Sequence, residues 1–151
     1  MTEDQQKLAE LIHRSGRLLD DQSFGDYATL FAETGQYRLM ATSPEVREPM
    51  TWILLNRDEL GALLTSASKH VWNTGQRNHL ITIEEIHVDG EAASTTSGFC
   101  VFHTDDDGAT RVYAVGRYED LWQRYSADWK LLRRIARLRT RALAPPSAIP
   151  L

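Results

Sequence analysis

The chain has 151 residues and a formal net charge of −4, with 42% hydrophobic and 25% charged residues. This length predicts one domain over residues 1–151, with a tail at 144–151, and is too short for two ordinary domains. The negative charge argues against a nucleic-acid partner, and no apolar stretch reaches the ~20 residues that span a bilayer. The polar, acidic start lacks the features of a secretory signal, which predicts a cytoplasmic location.

Helical spacing characterises the beginning of the sequence. An amphipathic helix is predicted from Glu3 to about Asp20, with Thr2 and Gln5 placed for a capping box. Ser23 predicts the start of a second, short helix that runs through Phe31. Asp20 therefore falls at a junction between two helices.

The next stretch mixes strand, loop and helix signals. Gln36 to Ala41 predicts a strand that carries Tyr37, after a helix end at Glu33-Thr34-Gly35, and the two prolines of Thr42 to Pro49 predict a loop. Asn56 with Glu59 predicts the start of a third helix, which continues to about Trp72.

Four long segments rich in β-branched and aromatic residues follow, at 78–88, 91–103, 109–124 and 129–143. Asp89-Gly90 is a strong hairpin signal between the first two. Strands this long must bend, and we expect bulges near Gly98 and Gly116. The sequence thus predicts an α+β fold, in which a curved antiparallel sheet wraps on N-terminal helices and forms a cone with a ligand-sized hollow.

The second of these segments, from Ala92 to His103, alternates as a half-buried strand does. Side chains two apart share a face, so Phe99, Val101 and His103 point one way and Cys100 the other. A histidine that continues an apolar row lies either in a core or on the wall of a pocket.

The candidate catalytic residues are Asp20, Tyr37, His79 and His103. Both histidines lie at strand ends beside apolar residues, where a cavity could border them. Asp20 could hydrogen-bond an imidazole N–H and fix its tautomer, and Tyr37 could donate to a carbonyl oxygen that gains charge. The alternative for each residue is a purely structural role.

Other chemistries have no support in the sequence. The histidines are not spaced as a metal set, the single Cys100 has no second thiol, and no nucleophile elbow or nucleotide-binding loop is present, so we predict no metal and no cofactor. Six basic residues fall between Lys130 and Arg141. They indicate a solvated or acid-paired face, or alternatively an RNA-binding or subunit-docking face.

Three stretches together carry a resemblance: LLDDQSFGDYATLFAETGQYRL at 18–39, RNHLITIEEIHVDGEAASTTSGFCVFH at 77–103 and GRYEDLWQRYSADWKLLRRIARL at 116–138. In order and spacing the sequence resembles the nuclear transport factor 2-like superfamily from about Glu3 to Arg139. Members with this pattern include scytalone dehydratase, polyketide cyclase-like proteins and the β subunits of aromatic-ring-hydroxylating dioxygenases. The resemblance implies a cystatin-like α+β roll.

Two functions follow from the resemblance. Similarity to scytalone dehydratase implies a cofactor-free lyase acting on a small cyclic or aromatic ketone, with His79 as general base and acid, Asp20 and His103 as the orienting pair and Tyr37 as the carbonyl-side donor. Leu19 stands where that enzyme has a second tyrosine, so the substrate is left open. Similarity to the dioxygenase β subunits implies a structural subunit that forms trimers and supports an iron-bearing α subunit.

His103 distinguishes these two interpretations, because a residue of no catalytic use is expected there in the β-subunit pattern. The sequence therefore predicts an acid–base dehydratase or isomerase, with a non-catalytic assembly subunit as the alternative. A small hydrophobic or aromatic ligand and a homo-oligomer, dimer or trimer, are the expected partners, without nucleic acid or membrane.

Overall fold

The computed structural model describes residues 1–43, 46–69, 75–141, 143 and 150–151. The predicted end of the third helix near Trp72 and residues 144–149 of the predicted tail lie outside these residues. Within the described part, three helices and six strands follow in chain order: α1 (Glu3–Asp20), α2 (Phe24–Thr29), β1 (Phe31–Ser43), β2 (Val46–Asn56), α3 (Arg57–Lys69), β3 (Gln76–Asp89), β4 (Ala92–Thr104), β5 (Thr110–Tyr125) and β6 (Asp128–Leu138).

The helices begin where side chains satisfy their first backbone N–H groups. At α1 the Thr2 hydroxyl accepts from Gln5 N at 3.2 Å, and Gln5 Oε1 accepts from Thr2 N at 2.9 Å, which confirms the predicted capping box. The same reciprocal pair joins Asn56 and Glu59 at the start of α3. Leu8 and Ile12 of α1 are completely buried, so the predicted apolar stripe faces the sheet.

The strands form one sheet in the order β2-β1-β6-β5-β4-β3. All neighbours are antiparallel except β1 and β6, which run parallel, a pairing that the prediction of an antiparallel sheet did not include. Helix α1 packs against β3 and is held at both ends. Asp4 accepts from Arg124 Nη2 at 2.6 Å and from Trp129 Nε1 at 3.2 Å, and Asp20 contacts β3. The α+β fold with a curved, unclosed sheet is as predicted.

Register irregularities bend the long strands and change which residues face inward. One lies between Ile83 and Glu85 opposite Ser97, beside the predicted bulge at Gly98. Others lie between Val101 and Phe102 on β4 and between Leu121 and Trp122 on β5. No shift is recorded at Gly116, where a Cβ would come within 2.4 Å of the Arg137 carbonyl oxygen, so this glycine allows close strand approach.

Two predictions for the segment after α2 are wrong. The second helix ends at Thr29, and Phe31 to Gly35, predicted as the end of a helical unit, belong to β1. Gly35 lies there because a Cβ would come within 2.7 Å of the Leu131 carbonyl oxygen. The predicted loop over Thr42 to Pro49 is instead part of β1 and β2 where it is described, since a proline on the edge strand β2 interrupts no inner ladder.

The side of the sheet that faces the helices forms the core. Phe99, Val101 and His103 are at most 3% exposed, while Cys100 on the opposite face is partly exposed, as the alternation predicts. Phe99 stacks on Tyr118 with ring centroids 4.3 Å apart. No helix among the described residues is long and apolar enough to cross a membrane.

Candidate functional site

Asp20 and His79 form the closest contact among the four candidate residues. Asp20 is the last residue of α1, and its Oδ1 lies 2.5 Å from His79 Nδ1. Its other oxygen, Oδ2, accepts a hydrogen bond of 2.8 Å from the backbone N–H of His79. The His79 side chain is 0% exposed and that of Asp20 15% exposed. The carboxylate thus fixes both the position of β3 and the plane of the imidazole ring.

The opposite ring nitrogen of His79 has a different environment. Nε2 is buried and has no hydrogen-bond partner among the described residues. On the backbone side His79 packs against Gly16 of α1, where an added Cβ would lie 3.1 Å from the His79 Cβ. When Nδ1 donates its proton to Asp20, Nε2 carries the lone pair, and this tautomer is the one that a general base requires.

Tyr37 is held by residue 151 of the same chain. Its hydroxyl donates to the Leu151 carbonyl oxygen at 3.2 Å and accepts from Leu151 N at 3.1 Å. Tyr37 is completely buried and Leu151 is 1% exposed. Burial raises the pKa of the Tyr37 phenol well above its usual value. The proposed carbonyl-side donor therefore has both its donor and its acceptor capacity engaged by Leu151.

His103 lies near cationic groups. It is 2% exposed, its register partners are Arg77 on β3 and Arg111 on β5, and its ring lies 6.0 Å from that of Tyr113. Burial lowers the pKa of the His103 imidazole, and the positive charges of Arg111 and Arg77 lower it further. Burial and these two cations therefore favour the neutral form of the His103 imidazole. The geometry assigns the orienting role of Asp20 to His79, which differs from the predicted pairing of Asp20 with His103.

Arg77 is a member of this region that the sequence reasoning did not select. Its guanidinium lies 4.8 Å from the centroid of the Tyr113 ring. Burial lowers the Arg77 pKa, and Tyr113, Asp20 and Tyr37 are near enough to oppose that shift. Arg77 lies two residues before His79 on the same strand, so the two side chains share a face. This spacing is the sequence signal that could have identified Arg77.

A buried ion pair was also missed. Arg134 Nη2 and Nε bind the two carboxylate oxygens of Asp120 at 2.8 Å and 2.9 Å, and both side chains are 0% exposed. Arg134 Nη1 donates to Ser15 Oγ at 2.8 Å, and the guanidinium lies 4.2 Å from the Tyr118 ring centroid. Burial alone would lower the Arg134 pKa, but the Asp120 carboxylate raises it overall. This network fills the interior beside Tyr118.

The candidate residues differ in what their polar atoms contact. His79 Nδ1 contacts Asp20 while its Nε2 has no hydrogen-bond partner among the described residues, whereas the hydroxyl of Tyr37 and the guanidinium of Arg134 have protein partners. Among the described residues, no group of three or more His, Cys, Asp and Glu side chains lies close enough together to hold a metal ion.

Comparison with known proteins agrees with the fold. A family model described as a SnoaL-like domain matches residues 1–135, and the chain belongs to this family. The β subunit of the methanesulfonate monooxygenase hydroxylase of Methylosulfonomonas methylovora is 30% identical over 150 residues, which cover 93% of this chain and 83% of that subunit.

Two solved structures extend the comparison. The β subunit of a proposed aromatic-ring-hydroxylating dioxygenase from Novosphingobium aromaticivorans has a TM-score of 0.80 at 24% identity, covering 92% of this chain and 91% of that one. A nuclear transport factor 2-like protein with a cystatin-like fold from the same species has a TM-score of 0.70 at 20% identity, covering 99% and 90%. The family match over residues 1–135, together with these folds, confirms the predicted superfamily.

Proposed function

We propose that this chain is a non-catalytic β-type subunit that assembles with an iron-bearing oxygenase α subunit. The observation that carries the proposal is the contact of Tyr37 with Leu151. A ketone substrate would need the Tyr37 hydroxyl as its carbonyl-side donor, but Leu151 occupies both functions of that hydroxyl at 3.1 Å and 3.2 Å. Residues of the chain itself thus take the place that a substrate carbonyl would need.

The relatives support the same function. The 30% identical relative is named as the β subunit of a hydroxylase, and it aligns with 93% of this chain. The burial of His103 is consistent with a structural position. Burial, with the charges of Arg111 and Arg77, lowers the pKa of the His103 imidazole and so disfavours the cation that would stabilise an enolate. In this proposal the Asp20–His79 contact joins α1 to β3, and the Asp120–Arg134 pair orders the interior.

The edge strand β2 offers a surface for assembly. Met50, Trp52 and Leu54 are 38%, 40% and 48% exposed on this strand. A register shift leaves Trp52 without a register partner on β1, so Met50 does not continue the face that carries Leu54. Exposed apolar side chains on an edge strand are typical of protein–protein contact surfaces. A homo-oligomer, which the sequence predicts, could use the same strand.

The test is co-expression of this chain, carrying an affinity tag, with an oxygenase α subunit from the same genome. The proposal predicts that the α subunit co-purifies through size exclusion, together with stoichiometric iron. An α subunit from an unrelated hydroxylase serves as the control for non-specific capture. Separate elution of the two chains, with iron only in the α-subunit fraction, would overturn the proposal.

A second candidate function is favoured by one observation: His79 Nε2 is buried beside Asp20 and has no hydrogen-bond partner in the described part of the chain. In this alternative the protein is a scytalone dehydratase-like lyase or isomerase, in which His79 removes a proton α to a ketone. Such catalysis requires a state in which Leu151 has left Tyr37. General acid–base catalysis by one positioned side chain contributes about 10²–10⁴ in rate.

This candidate can be tested without knowing the substrate. Small cyclic and aromatic ketones in D₂O would exchange their α-protons, a reaction that NMR follows directly. The lyase alternative predicts exchange that is lost in His79→Ala and in Asp20→Ala but kept in His87→Ala, a surface histidine on the same strand. Exchange at the same rate in the wild type and in His79→Ala would exclude it.

A further inference from the structure

A groove crosses the sheet on the face opposite the helices. It has a volume of about 370 Å³ and is lined by Thr42, Arg117, Glu119, Arg137, Leu138, Arg139 and Arg141. Along β5 and β6, Arg117, Glu119 and Arg137 alternate with the buried Tyr118, Asp120 and Ala136, which places these charged side chains on the outer face. The groove therefore lies on the other side of the sheet from the buried core.

Two of its arginines lie opposite each other on neighbouring strands. Arg117 and Arg137 are register partners on β5 and β6, a like-charge pairing that destabilises a sheet unless other groups compensate it. Glu84 contacts Arg117 at 3.0 Å, and Glu119 accepts from Arg137 Nε at 2.8 Å. These contacts hold the two side chains in place and use only part of each guanidinium's set of N–H donors.

The other two arginines extend the groove beyond the end of β6. Val115 O accepts from Arg139 N at 2.9 Å, and Val115 N donates to Thr140 Oγ1 at 2.8 Å, so the backbone that carries Arg139 and Arg141 is fixed. Both side chains are exposed, and no acidic side chain of the described residues forms a salt bridge with either. The lining thus contains four arginines and one carboxylate, with Glu84 paired to Arg117 at its border, although the chain as a whole has a net charge of −4.

We propose that this groove is a binding site for a tetrahedral oxyanion, a phosphate or sulfate group, either free or as the head group of a small molecule. Guanidinium groups present parallel N–H donors that match such oxygens bidentately. Binding costs less conformational entropy when the groups that bind are already ordered. Here the backbone at Arg139 is hydrogen-bonded, and the side chains of Arg117 and Arg137 are held by ion pairs. The volume of about 370 Å³ is in the range of small-ligand sites.

The experiment compares anions at constant ionic strength. Sulfate, inorganic phosphate and phenyl phosphate are titrated against the protein in sodium chloride by calorimetry and by thermal unfolding. The double variant Arg139→Gln/Arg141→Gln removes two groove cations. Arg14→Gln/Arg17→Gln, at two exposed positions of α1, removes the same charge elsewhere and serves as the matched control.

The proposal predicts that phosphate or sulfate raises the melting temperature by about 2–4 °C over chloride in the wild type and in the α1 control. Binding to the Arg139/Arg141 variant is expected to weaken at least about tenfold, because charge-assisted hydrogen bonds are lost. Tighter binding of phenyl phosphate than of phosphate would assign the site to a small-molecule head group, and equal binding would assign it to the free ion. The proposal would be overturned by an equal response to chloride, or by an unchanged affinity in the Arg139→Gln/Arg141→Gln variant.

Discussion

The carboxylate of Asp20 binds His79 twice, at the ring Nδ1 at 2.5 Å and at the backbone N–H at 2.8 Å. One side chain at the end of α1 therefore sets both the position of β3 and the tautomer of its histidine. The same geometry serves a structural joint or a catalytic pair. What distinguishes the two functions is whether the surrounding groups are available to a substrate, and Tyr37 is bound to Leu151 instead.

Replacing Asp20 tests how much this joint contributes to stability. We expect Asp20→Asn to lower the free energy of unfolding by about 1–3 kcal/mol, since an amide cannot accept hydrogen bonds at both of its ends. Urea denaturation followed by circular dichroism measures the change. Asp21→Asn, at the exposed next position, is the control and should change stability by less than about 0.5 kcal/mol. Equal effects of the two substitutions would contradict the assigned role.

Tyr37→Phe tests the contact with Leu151. The substitution leaves the buried backbone N–H and carbonyl of Leu151 without their partner, so we expect a loss of about 1–3 kcal/mol in chemical denaturation. Tyr118→Phe is the matched control, because the buried Tyr118 hydroxyl has no hydrogen-bond partner among the described residues. Its removal should be close to neutral. A neutral Tyr37→Phe would mean that Leu151 does not occupy this hydroxyl in solution.

Arginine substitutions on β6 compare a buried ion pair with an exposed one. Arg134→Met leaves the fully buried Asp120 without its cation and should cost about 3–5 kcal/mol. Arg137→Met breaks a pair with Glu119 in which both side chains are 40% exposed, and should cost less than about 1 kcal/mol. Thermal and urea unfolding measure both. Combining Arg134→Met with Asp120→Leu is expected to restore most of the lost stability, and failure to do so would indicate that the pair is not the cause.

The acid sensitivity of folding tests the environment of His103. Burial and the neighbouring Arg111 and Arg77 lower its pKa below the ordinary value of 6.5, so the unfolded chain binds this proton more readily than the folded one. His103 thus has no effect above about pH 7 and lowers stability as the pH falls through 6.5. In His103→Gln this contribution to the decline in unfolding free energy between pH 7.5 and 5 should be absent.

The exposed His87 provides the comparison, since His87→Gln should keep the acid sensitivity of the wild type. Urea titrations at a series of pH values give the slopes. If the unfolding free energy of His103→Gln declined more steeply than that of the wild type, the pKa of His103 would be raised by folding, not lowered. Such a result would indicate a stabilising negative charge beside His103.

The sequence was sufficient for much of the fold, because periodicity and capping signals are local. It placed Asp20 at the end of α1 and His79 on a long strand, and both positions are as predicted. Their contact joins residues 59 positions apart in the sequence. It depends on how α1 crosses β3, and local sequence patterns carry no information on that crossing. The same holds for the parallel pairing of β1 with β6 and for the contact of Tyr37 with Leu151.

Arg134 illustrates a different limit. On a regular strand that starts with buried Trp129 and Leu131, the next inward residue would be Arg133. The register shift opposite Leu121 and Trp122 reverses this alternation, so Arg134 faces the core instead. A basic stretch that reads as a solvated face thus has one member fully buried in an ion pair.

The mass of the complex formed with a co-expressed oxygenase α subunit tests the proposed function most directly. Native mass spectrometry should show both chains in one assembly, and Trp52→Glu/Leu54→Glu on β2 should dissociate it while Leu80→Glu, at an exposed apolar position on β3, leaves it intact. An assembly of this chain alone, unchanged by the α subunit, would contradict the assignment as an assembly subunit.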